Sequence, residues 1–414
     1  MITIQDFRNI DAFSFGRSRI ETEHEYIVGP IIDGVRRGGD AALLRYAQRL
    51  DDLGDQPLRV TESELAAAGA VMCPAVRAAA QAAVNNIRVF AERQLPKECL
   101  EEFSPGRKLG WIVRPLDAVG CYVPSGRYPL PSTLLMTAVL AQVAGVPRIC
   151  VTSPKPSVEI LGCAHMLGIT EVFRVGGAQA IAAMAFGTLT VQRVDRIVGP
   201  GNAYVAAAKK LLAGEVGIDF VAGPTEIMIL ASEGDPRVIA ADMLAQAEHD
   251  TEACALLITT SQTLAEEVSA ELDRQLETLP TREVAQVAID KGSRIYLVPD
   301  MMFGVYMANS WAPEHLSLHD TELLPHIKNA GTVFLGQNSP ESAGDYAAGP
   351  SHVLPTGGAA RLRGGLSAAD FVKIIAIQQL SPSALGELAP TITTLARAEG
   401  LEAHARAVEV RSVS

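Results

Sequence analysis

The sequence has little of what marks secreted or membrane proteins. It has six cysteines among 414 residues and no Cys-x-x-Cys pair, which disfavours a disulfide framework and predicts reduced thiols. It has no apolar run of the roughly 18 residues that a membrane span needs; residues 134–146 come nearest and are broken by Thr137 and Gln142. The opening MITIQDFRNIDAF is charged where a signal peptide is apolar, so we expect a cytoplasmic protein.

The chain also lacks an excess of positive charge. Its 35 Lys and Arg residues face 47 Asp and Glu residues, which gives a net charge of −12. No basic cluster offers a surface for phosphate backbones, so nucleic acid is excluded as an expected partner. Hydrophobic residues make up 48% of the chain, enough for a large core, and the length predicts two or more domains.

The order of predicted elements indicates an α/β fold. Helical spacing of apolar residues over 21–52, interrupted at Gly38-Gly39, and again over 61–94 predicts a helical opening. From Gly110 onward, short apolar strands alternate with helices of about ten residues, which predicts parallel sheets. We predict two incomplete Rossmann-like parallel-sheet domains with helical extensions at both ends. Residues 367–414 are predicted to be mostly helical and to end in a strand-like VEVR.

The segment LAQAEHD offers two metal-ligand side chains. Gln246 and His249 are three residues apart on a predicted helix and therefore project from one face. An amide oxygen and a neutral imidazole can bind one divalent cation together. A solvated polar pair on a helix surface is the simpler alternative, and Glu248 points away from that face.

The segment GDYAAGPSHVLPT places Asp345 and His352 seven residues apart across a turn with glycine and proline. A loop of this kind after the predicted strand 332–335 can direct both side chains into a cleft. The structural alternative is an Asx-turn at Asp345 with a buried, hydrogen-bonded His352.

The segment NSWAPEHLSL places Glu314 and His315 side by side. A carboxylate next to an imidazole supplies an acid and a base that both work near neutral pH. As a dipeptide, however, Glu-His is common by chance.

Two glycine-rich turns, VGGAQA and VGPGNAYV, each lie between a predicted strand and a helix. The free amides of such a helix start can meet an anion such as a pyrophosphate, and Asp195 lies about 20 residues beyond Gly176, where a ribose-binding acid is expected. Neither turn has the Gly-x-Gly-x-x-Gly pattern, and such turns are often purely structural. We expect ligands at the carboxyl ends of the strands.

In combination these segments are specific. The chain closely resembles the histidinol dehydrogenase family through an ordered set of blocks: GCYVPSGRYPLPSTLLM, VGGAQAIAAMAFGT, IVGPGNAYVAAAK, AGPTEIMIL, LAQAEHD, APEHLSL, GDYAAGPSHVLPT and EGLEAHARAVEVR. The resemblance extends to the N-terminal GPIIDGVRRGGDAALLRYAQRLD, and so covers nearly the whole chain.

The resemblance implies an NAD-dependent, zinc-containing enzyme that oxidises L-histidinol to L-histidine in two steps through an aldehyde. The family's zinc ligands fall on Gln246, His249, Asp345 and His404. In the family the last of these comes from the partner subunit of a homodimer with intertwined tails. The metal would orient the substrate, whose amine and imidazole are good nitrogen donors.

The resemblance also implies roles for further residues. Glu314 would activate water for aldehyde hydration, and His315 would accept the proton in both oxidations. The implied substrate-binding residues are Thr225, Gln246, His249, His315, Asp345, His352, Glu399 and His404, and the implied NAD contacts are Tyr122, Gln179 and Asn202.

The implied domains are an N-terminal helical extension (1–16) and a large α/β domain with the metal and acid–base residues (17–121 and 225–366). An NAD-side α/β domain (122–224) and a helical tail (367–414) that reaches the partner subunit complete the expected division.

Two departures from the family pattern bear on the substrate: Ser125-Gly126 replaces the usual glycine pair, and Thr225 replaces the usual serine. A rival interpretation is a related enzyme that oxidises a sulfonated diol, for which Arg127, Arg361 or Arg363 would supply a cation. A second rival is a non-catalytic, zinc-stabilised binding protein.

Overall fold

The structure is a computed structural model that describes residues 2–8, 22–125, 128–221 and 223–412. Its strands are β1 (Thr3–Asp6), β2 (Cys99–Ser104), β3 (Arg107–Pro115), β4 (Ala118–Tyr122), β5 (Arg148–Thr152), β6 (Glu171–Phe173), β7 (Arg196–Val198), β8 (Gly217–Ile218), β9 (Glu226–Leu230), β10 (Cys254–Thr259), β11 (Arg294–Leu297), β12 (His315–Leu318), β13 (Thr332–Leu335) and β14 (Val372–Leu380).

The helices are α1 (Thr22–Leu50), α2 (Glu62–Val71), α3 (Pro74–Gln94), α4 (Pro131–Val143), α5 (Val158–Met166), α6 (Gly177–Phe186), α7 (Ala203–Leu212), α8 (Pro236–Ala247), α9 (Gln262–Leu276), α10 (Arg282–Lys291), α11 (Met301–Trp311), α12 (Glu341–Tyr346), α13 (Pro382–Ala398) and α14 (Glu402–Ser412). Within the described ranges no single helix is long and apolar enough to cross a membrane. Only α2 and α3 taken together, bent by 108° at their junction, have the required length and composition.

Unit 1, Met1–Gln94 with Asp117–Phe371, contains two parallel sheets. One has the strand order β6-β5-β4-β7-β8, and the other has the order β1-β11-β10-β9-β12-β13. Apart from the edge strand β1, both sheets have the same arrangement. The strand that comes first in the chain, β4 or β9, is central, the next two strands lie on one side of it and the last two on the other, as in Rossmann-like folds. The predicted α/β class with parallel sheets is therefore confirmed.

The strands of both sheets are buried because helices cover their faces. In the second sheet, Ile229 and Leu257 pack in one core cluster with apolar residues of α8, α9 and α10. Met228 and Leu256 face the opposite side, where α11 contributes to a separate cluster. The apolar runs of β9 and β10 therefore reflect burial on both faces, as parallel strands require.

Unit 2, Leu95–Leu116 with Val372–Ser414, is built differently. Its three strands form an antiparallel sheet in the order β14-β3-β2, and α13 packs against α14. Several of its large apolar side chains are exposed, among them Phe103, Ile374, Leu395 and Val410.

Some predicted elements are wrong. The N-terminal extension is not helical over Thr3–Asp6, which forms a strand beside β11; positions 9–16 lie outside the described residues. The tail contains the nine-residue strand β14, and VEVR belongs to helix α14, whose Glu402–Arg406 pair supports helical geometry. The single helix predicted over 61–94 is two helices that break at Met72-Cys73. The interruption predicted at Gly38-Gly39 is confirmed as a kink inside α1 at Gly39.

Candidate active site

The densest group of predicted site residues lies at the amino ends of β9 and β12. Thr225 immediately precedes β9, and His315 is the first residue of β12. These candidate residues therefore lie at the opposite end of the strands from the carboxyl ends, where we expected ligands. The reason is that α8 follows β9 and crosses back over the sheet, so its last turn, with Gln246, arrives at the amino edge.

A chain of hydrogen bonds joins three of these side chains. The Gln246 amide Nε2 donates to Thr225 Oγ1 at 2.8 Å, and the Thr225 hydroxyl donates to Glu314 Oε2 at 2.6 Å. The backbone N–H of Glu226 donates to the same carboxylate oxygen at 3.0 Å. One oxygen of Glu314 is therefore held by two donors, which fixes the buried carboxylate beside β9.

The backbone around Glu314 is equally constrained. A Cβ atom on Gly331 would lie 2.5 Å from the Glu314 carbonyl oxygen, so only glycine allows this approach. The Glu314 carbonyl accepts from Thr332 N, the first residue of β13.

The surroundings of His315 define its tautomer. Nδ1 lies 3.2 Å from the carbonyl oxygen of Glu226 and 3.7 Å from Glu314 Oε2. Both atoms can only accept, so Nδ1 carries the hydrogen and the Nε2 of a neutral ring presents its lone pair. Nε2 has no hydrogen-bond partner among the described residues and lies 3.7 Å from Asp345 Oδ1.

Charges in this group are strongly coupled. Burial raises the pKa of Glu314 above its usual value, against the opposing effect of His315. Burial alone would lower the pKa of His315, but Glu314 and Asp345 outweigh it and raise that pKa to about 10. His315 can serve as a base near neutral pH only if a positive charge competes for these carboxylates.

Two of the residues expected to bind metal, His249 and Asp345, offer suitable donors for that charge, together with Glu341, which was not predicted. His249, Glu341 and Asp345 have ligand atoms that all lie within 4.8 Å of one another. Gln246 lies in the last turn of α8, whereas His249 lies two residues beyond the end of that helix and not on its face as predicted. The buried Oε1 of Gln246 has no partner among the described residues. An orphaned amide oxygen, an imidazole and carboxylates fit a divalent cation.

His352 lies next to this group. Its Nδ1 is 2.8 Å from the Asp345 carbonyl oxygen and its Nε2 is 3.2 Å from Thr133 Oγ1 on α4. Burial lowers its pKa, so the ring is neutral near pH 7. Asp345 itself is in the short helix α12, not in the predicted loop. The alternative of a hydrogen-bonded His352 thus holds in part, since its ring bonds to the Asp345 backbone.

The two glycine-rich turns lie in the other sheet, at the carboxyl ends of β6 and β7 as predicted. In the first turn, Gly177 N donates to Tyr122 Oη at 3.2 Å, and Gln179 Nε2 donates to Asp51 Oδ2 at 2.9 Å. Asp51 also accepts from Gly176 N at 3.1 Å. Tyr122 and Gln179 are both buried. The bond to Asp51 engages the amide nitrogen of Gln179.

The second turn ends at Asn202, whose Oδ1 caps α7 by accepting from Tyr204 N and Val205 N. Its amide nitrogen is therefore the end left for a ligand. Beneath the turn, Lys209 Nζ donates to Gly199 O at 2.5 Å and to Asp219 Oδ1 at 2.7 Å. Asp195, the expected ribose-binding acid, instead accepts hydrogen bonds at Oδ2 from the backbone N–H groups of Asp117 and Ala118. This oxygen therefore has a structural role.

Glu399 and His404 belong to unit 2, at the end of α13 and in the first turn of α14. Both side chains are exposed.

Arg127 and Gly126 lie outside the described residues. Arg363 is engaged with Asp370 Oδ2 at 2.7 Å and the carbonyl of Asp219 at 2.8 Å, and Arg361 donates to the carbonyl of Ser310.

Several residues of this site were not predicted. Glu341 stands four positions before Asp345 and shares a helix face with it, a signal that is hidden because the sequence predicts a loop where α12 forms. Thr133 and Asp51 come from distant parts of the chain and carry no local pattern. Trp311 donates to Glu226 Oε2 at 2.8 Å and so supports the residue whose carbonyl orients His315.

Comparison with known proteins identifies relatives of this chain. The family model for histidinol dehydrogenase matches residues 16–412. Histidinol dehydrogenase of Rhizobium meliloti is 45% identical over 414 residues, covering 98% of this chain and 95% of that protein. That of Geobacillus kaustophilus is 47% identical and covers 94% of each. The crystal structure of histidinol dehydrogenase from Elizabethkingia anophelis superposes with a TM-score of 0.93 at 34% identity, covering 99% of this chain and 98% of that one.

Proposed function

This chain belongs to the histidinol dehydrogenase family, and from that premise we propose that it oxidises L-histidinol to L-histidine with NAD in two successive steps. The observation that carries the proposal is the geometry of His315, whose Nδ1–H is committed to the Glu226 carbonyl while Nε2 has no partner in the part of the chain that the structure describes. Oxidation of an alcohol requires a base about 3 Å from the hydroxyl that loses its proton. The free Nε2 is that base.

Glu314 serves the second oxidation, in which the aldehyde must first be hydrated. Its raised pKa and fixed orientation suit a carboxylate that takes a proton from water. Thr225 keeps the carboxylate in place, and a threonine hydroxyl serves here as well as the family's usual serine would. The two roles remain separate because Glu314 faces β9 while Nε2 of His315 faces Asp345.

We propose that Gln246, His249 and Asp345, with His404 of a second copy, bind a zinc ion, and that Tyr122, Gln179 and Asn202 contact NAD. When bound, the metal would orient the amine and imidazole of the substrate, and NAD would accept the hydride. His352, with Glu399 of a second copy, completes the proposed substrate pocket. The neutral ring of His352 suits an uncharged imidazole, and the Glu399 carboxylate suits an ammonium group.

We further propose a homodimer. The exposed apolar side chains of unit 2 support it, since Phe103, Ile374, Leu395 and Val410 are each more than half exposed in the single chain. The proposed domain boundaries lie at 16/17, 121/122, 224/225 and 366/367. The C-terminal tail that follows the last boundary contributes to the partner's site. Free cysteines at all six positions suit the proposed cytoplasmic location.

The two rival interpretations are not supported. A sulfonated substrate would need a free cation, but Arg363 is bound to Asp370 and Asp219, and Arg361 is bound to the Ser310 carbonyl. The relatives named above are dehydrogenases, which disfavours a non-catalytic binding protein.

The test of the proposed function is NADH formation from L-histidinol, before and after chelation of divalent metal. We expect about two equivalents of NADH per histidinol, and loss of turnover after chelation that zinc restores. A yield of one equivalent, or turnover only with a sulfonated alcohol, would contradict the proposal.

The acid–base assignment has its own test. Glu314→Gln and His315→Asn should fold normally and lose turnover by about 10²-fold or more, the usual scale for acid–base residues. With histidinaldehyde as substrate, Glu314→Gln should be impaired; oxidation of the alcohol alone should suffer more from His315→Asn. Unaltered turnover in both variants would return the chain to the non-catalytic interpretation.

A further inference from the structure

Glu341, the first residue of α12, is a buried carboxylate that the proposed function leaves without a role. It is only 2% exposed, and its Oε2 has no hydrogen-bond partner among the described residues. One of its oxygens lies in the group of ligand atoms, with those of His249 and Asp345, that are within 4.8 Å of one another. We propose that Glu341 is an additional ligand of the divalent ion in the substrate-free enzyme, which rests on the proposed metal site.

The charges around Glu341 favour this role. The groups that act on it are one imidazole, His315, and three carboxylates, those of Asp345, Asp242 and Glu314. Several acids with one base in a buried pocket can all be ionised together only at a cost, which either protonation or a bound cation removes. A divalent ion among His249, Glu341 and Asp345 removes that cost.

A second observation, independent of the acidic cluster, points to a missing ligand at the same place. His315 is 4% exposed, and its Nε2 has no partner among the described residues while it points toward Asp345 at 3.7 Å. Gln246, fully buried, likewise presents an unpartnered Oε1. Buried polar atoms of folded proteins are rarely left unsatisfied, so these atoms indicate a guest that the protein itself does not supply.

The alternative is that Glu341 only favours the start of α12, as acidic residues do at helix N-termini. A carboxylate at the protein surface can fill that role, which therefore does not explain why Glu341 is buried. It also predicts that a neutral, nearly isosteric glutamine would serve equally well, whereas a metal ligand would be weakened by the loss of charge.

Because Glu341, His249, Asp345 and Gln246 all belong to unit 1 of one chain, they form a four-ligand set that needs no second copy. His404 of a partner would then add to an ion that one subunit already holds. Glu341 therefore determines how tightly the ion stays bound when no substrate nitrogens are present.

The experiment measures binding of Zn²⁺ and Co²⁺ to the full-length, chelator-stripped protein, without substrate. Glu341→Gln should weaken metal binding by about tenfold or more and change the visible absorption of the Co²⁺ protein. Glu341→Asp keeps the charge but withdraws it by one methylene, and should give an intermediate affinity. Glu267→Gln, the same change at an exposed position of α9, is the matched control and should bind as the wild type does.

The outcomes separate this inference from the proposed function. Metal affinity and Co²⁺ absorption unchanged in both Glu341 variants would overturn the ligand role of Glu341 and leave the function standing. Failure of the wild type to bind either ion would instead overturn the proposed metal site. Should Glu341→Gln not fold, as judged by its melting curve, Glu341→Asp decides, because an affinity equal to that of the wild type contradicts the inference.

Discussion

At the scale of single residues, the hydroxyl of Thr225 is central because it satisfies two functional groups at once. It accepts from Gln246 Nε2 and donates to Glu314 Oε2. A hydroxyl is the smallest group that can do both, so serine and threonine are interchangeable here in chemistry but differ by a methyl group in shape. This explains how the departure from the family pattern can leave the acid–base pair intact.

Replacing this hydroxyl tests its role. Thr225→Val keeps the shape but leaves the Gln246 amide nitrogen without its partner, at a cost of about 1–3 kcal/mol, and leaves the Glu226 N–H as the remaining donor to Glu314 Oε2. We expect kcat/KM for histidinol to fall by at least about tenfold, a loss of roughly 1.4 kcal/mol in transition-state stabilisation. Thr225→Ser is the matched control and should stay within a few-fold of the wild type. Equal kinetics for the valine and serine variants would show that the bonds seen here do not matter.

Asp51 provides a pH-dependent prediction. Burial raises the pKa of its carboxyl above the usual value, despite the bonds from Gly176 and Gln179. The folded protein therefore keeps the proton at a pH where the unfolded chain has lost it, so stability falls as pH rises above about 4 through the folded-state pKa. Asp51→Asn keeps the acceptor oxygen and removes the charge.

Melting temperatures of the wild type and Asp51→Asn, measured from pH 4 to pH 8, check this sign. The difference should be smallest at the acidic end and should grow in favour of the variant as pH rises. Asp51→Ala, which loses the acceptor as well, should not gain. A difference that is independent of pH would contradict the raised pKa.

At the scale of elements, helices and strands were predicted correctly where the local residue pattern is strong. The strand β13 was predicted to the residue, as 332–335, because it is a short apolar run between two glycines. In contrast, β14 was missed because it pairs with β3 through distant residues, and its apolar residues Ile374 and Ile375 are both exposed in the single chain. The period-two pattern of VEVR suggested a strand, but it continues the helix that begins at Glu402.

The site was predictable only as far as its motifs are local. Glu314 with His315 and Gln246 with His249 are neighbours in sequence, so pattern and resemblance found them. Glu341 and Thr133 became visible only once α12 and α4 were placed beside β12 and His352. Contacts of this kind depend on tertiary packing, which no single-segment periodicity encodes.

The turn between β7 and α7 is an element whose stability rests on a buried ion pair. Lys209 and Asp219 are 2% and 0% exposed at their side chains, and both bond to Gly199, whose φ of 113° needs glycine. Lys209→Met leaves Asp219 charged, buried and short of its cation, which costs about 3–5 kcal/mol. We expect a markedly lower melting temperature and weaker NAD binding.

Adding Asp219→Asn to Lys209→Met supplies the control. Removal of the second charge eliminates the uncompensated anion, and we expect the double variant to recover part of the lost stability. If Asp219→Asn lowered the stability of Lys209→Met by as much as it lowers that of the wild type, the two side chains would act independently. NAD binding measured on each variant separates a loosened turn from a general loss of fold.

At the scale of the whole molecule, the proposed homodimer predicts that two inactive variants can complement each other in one dimer. His249 belongs to unit 1 and His404 to unit 2 of the same chain. If His404 serves the partner's site, a hybrid of one His404→Asn subunit and one His249→Asn subunit contains one intact site and one doubly damaged site. If both residues served the same site, each site of the hybrid would lack one ligand.

Mixing the two inactive variants, with subunit exchange promoted by mild denaturant, distinguishes these arrangements. Random reassortment makes about half of the dimers hybrid, each with one of two sites intact, so activity should return to about a quarter of the wild-type value. Each variant mixed with itself under the same treatment is the control and should stay inactive. No recovery, despite hybrids detected by a mass tag on one subunit, would mean that His404 does not cross to a partner's site. Recovery would make dimerisation a requirement of the chemistry, because no subunit alone would contain every ligand that the substrate-bound ion needs.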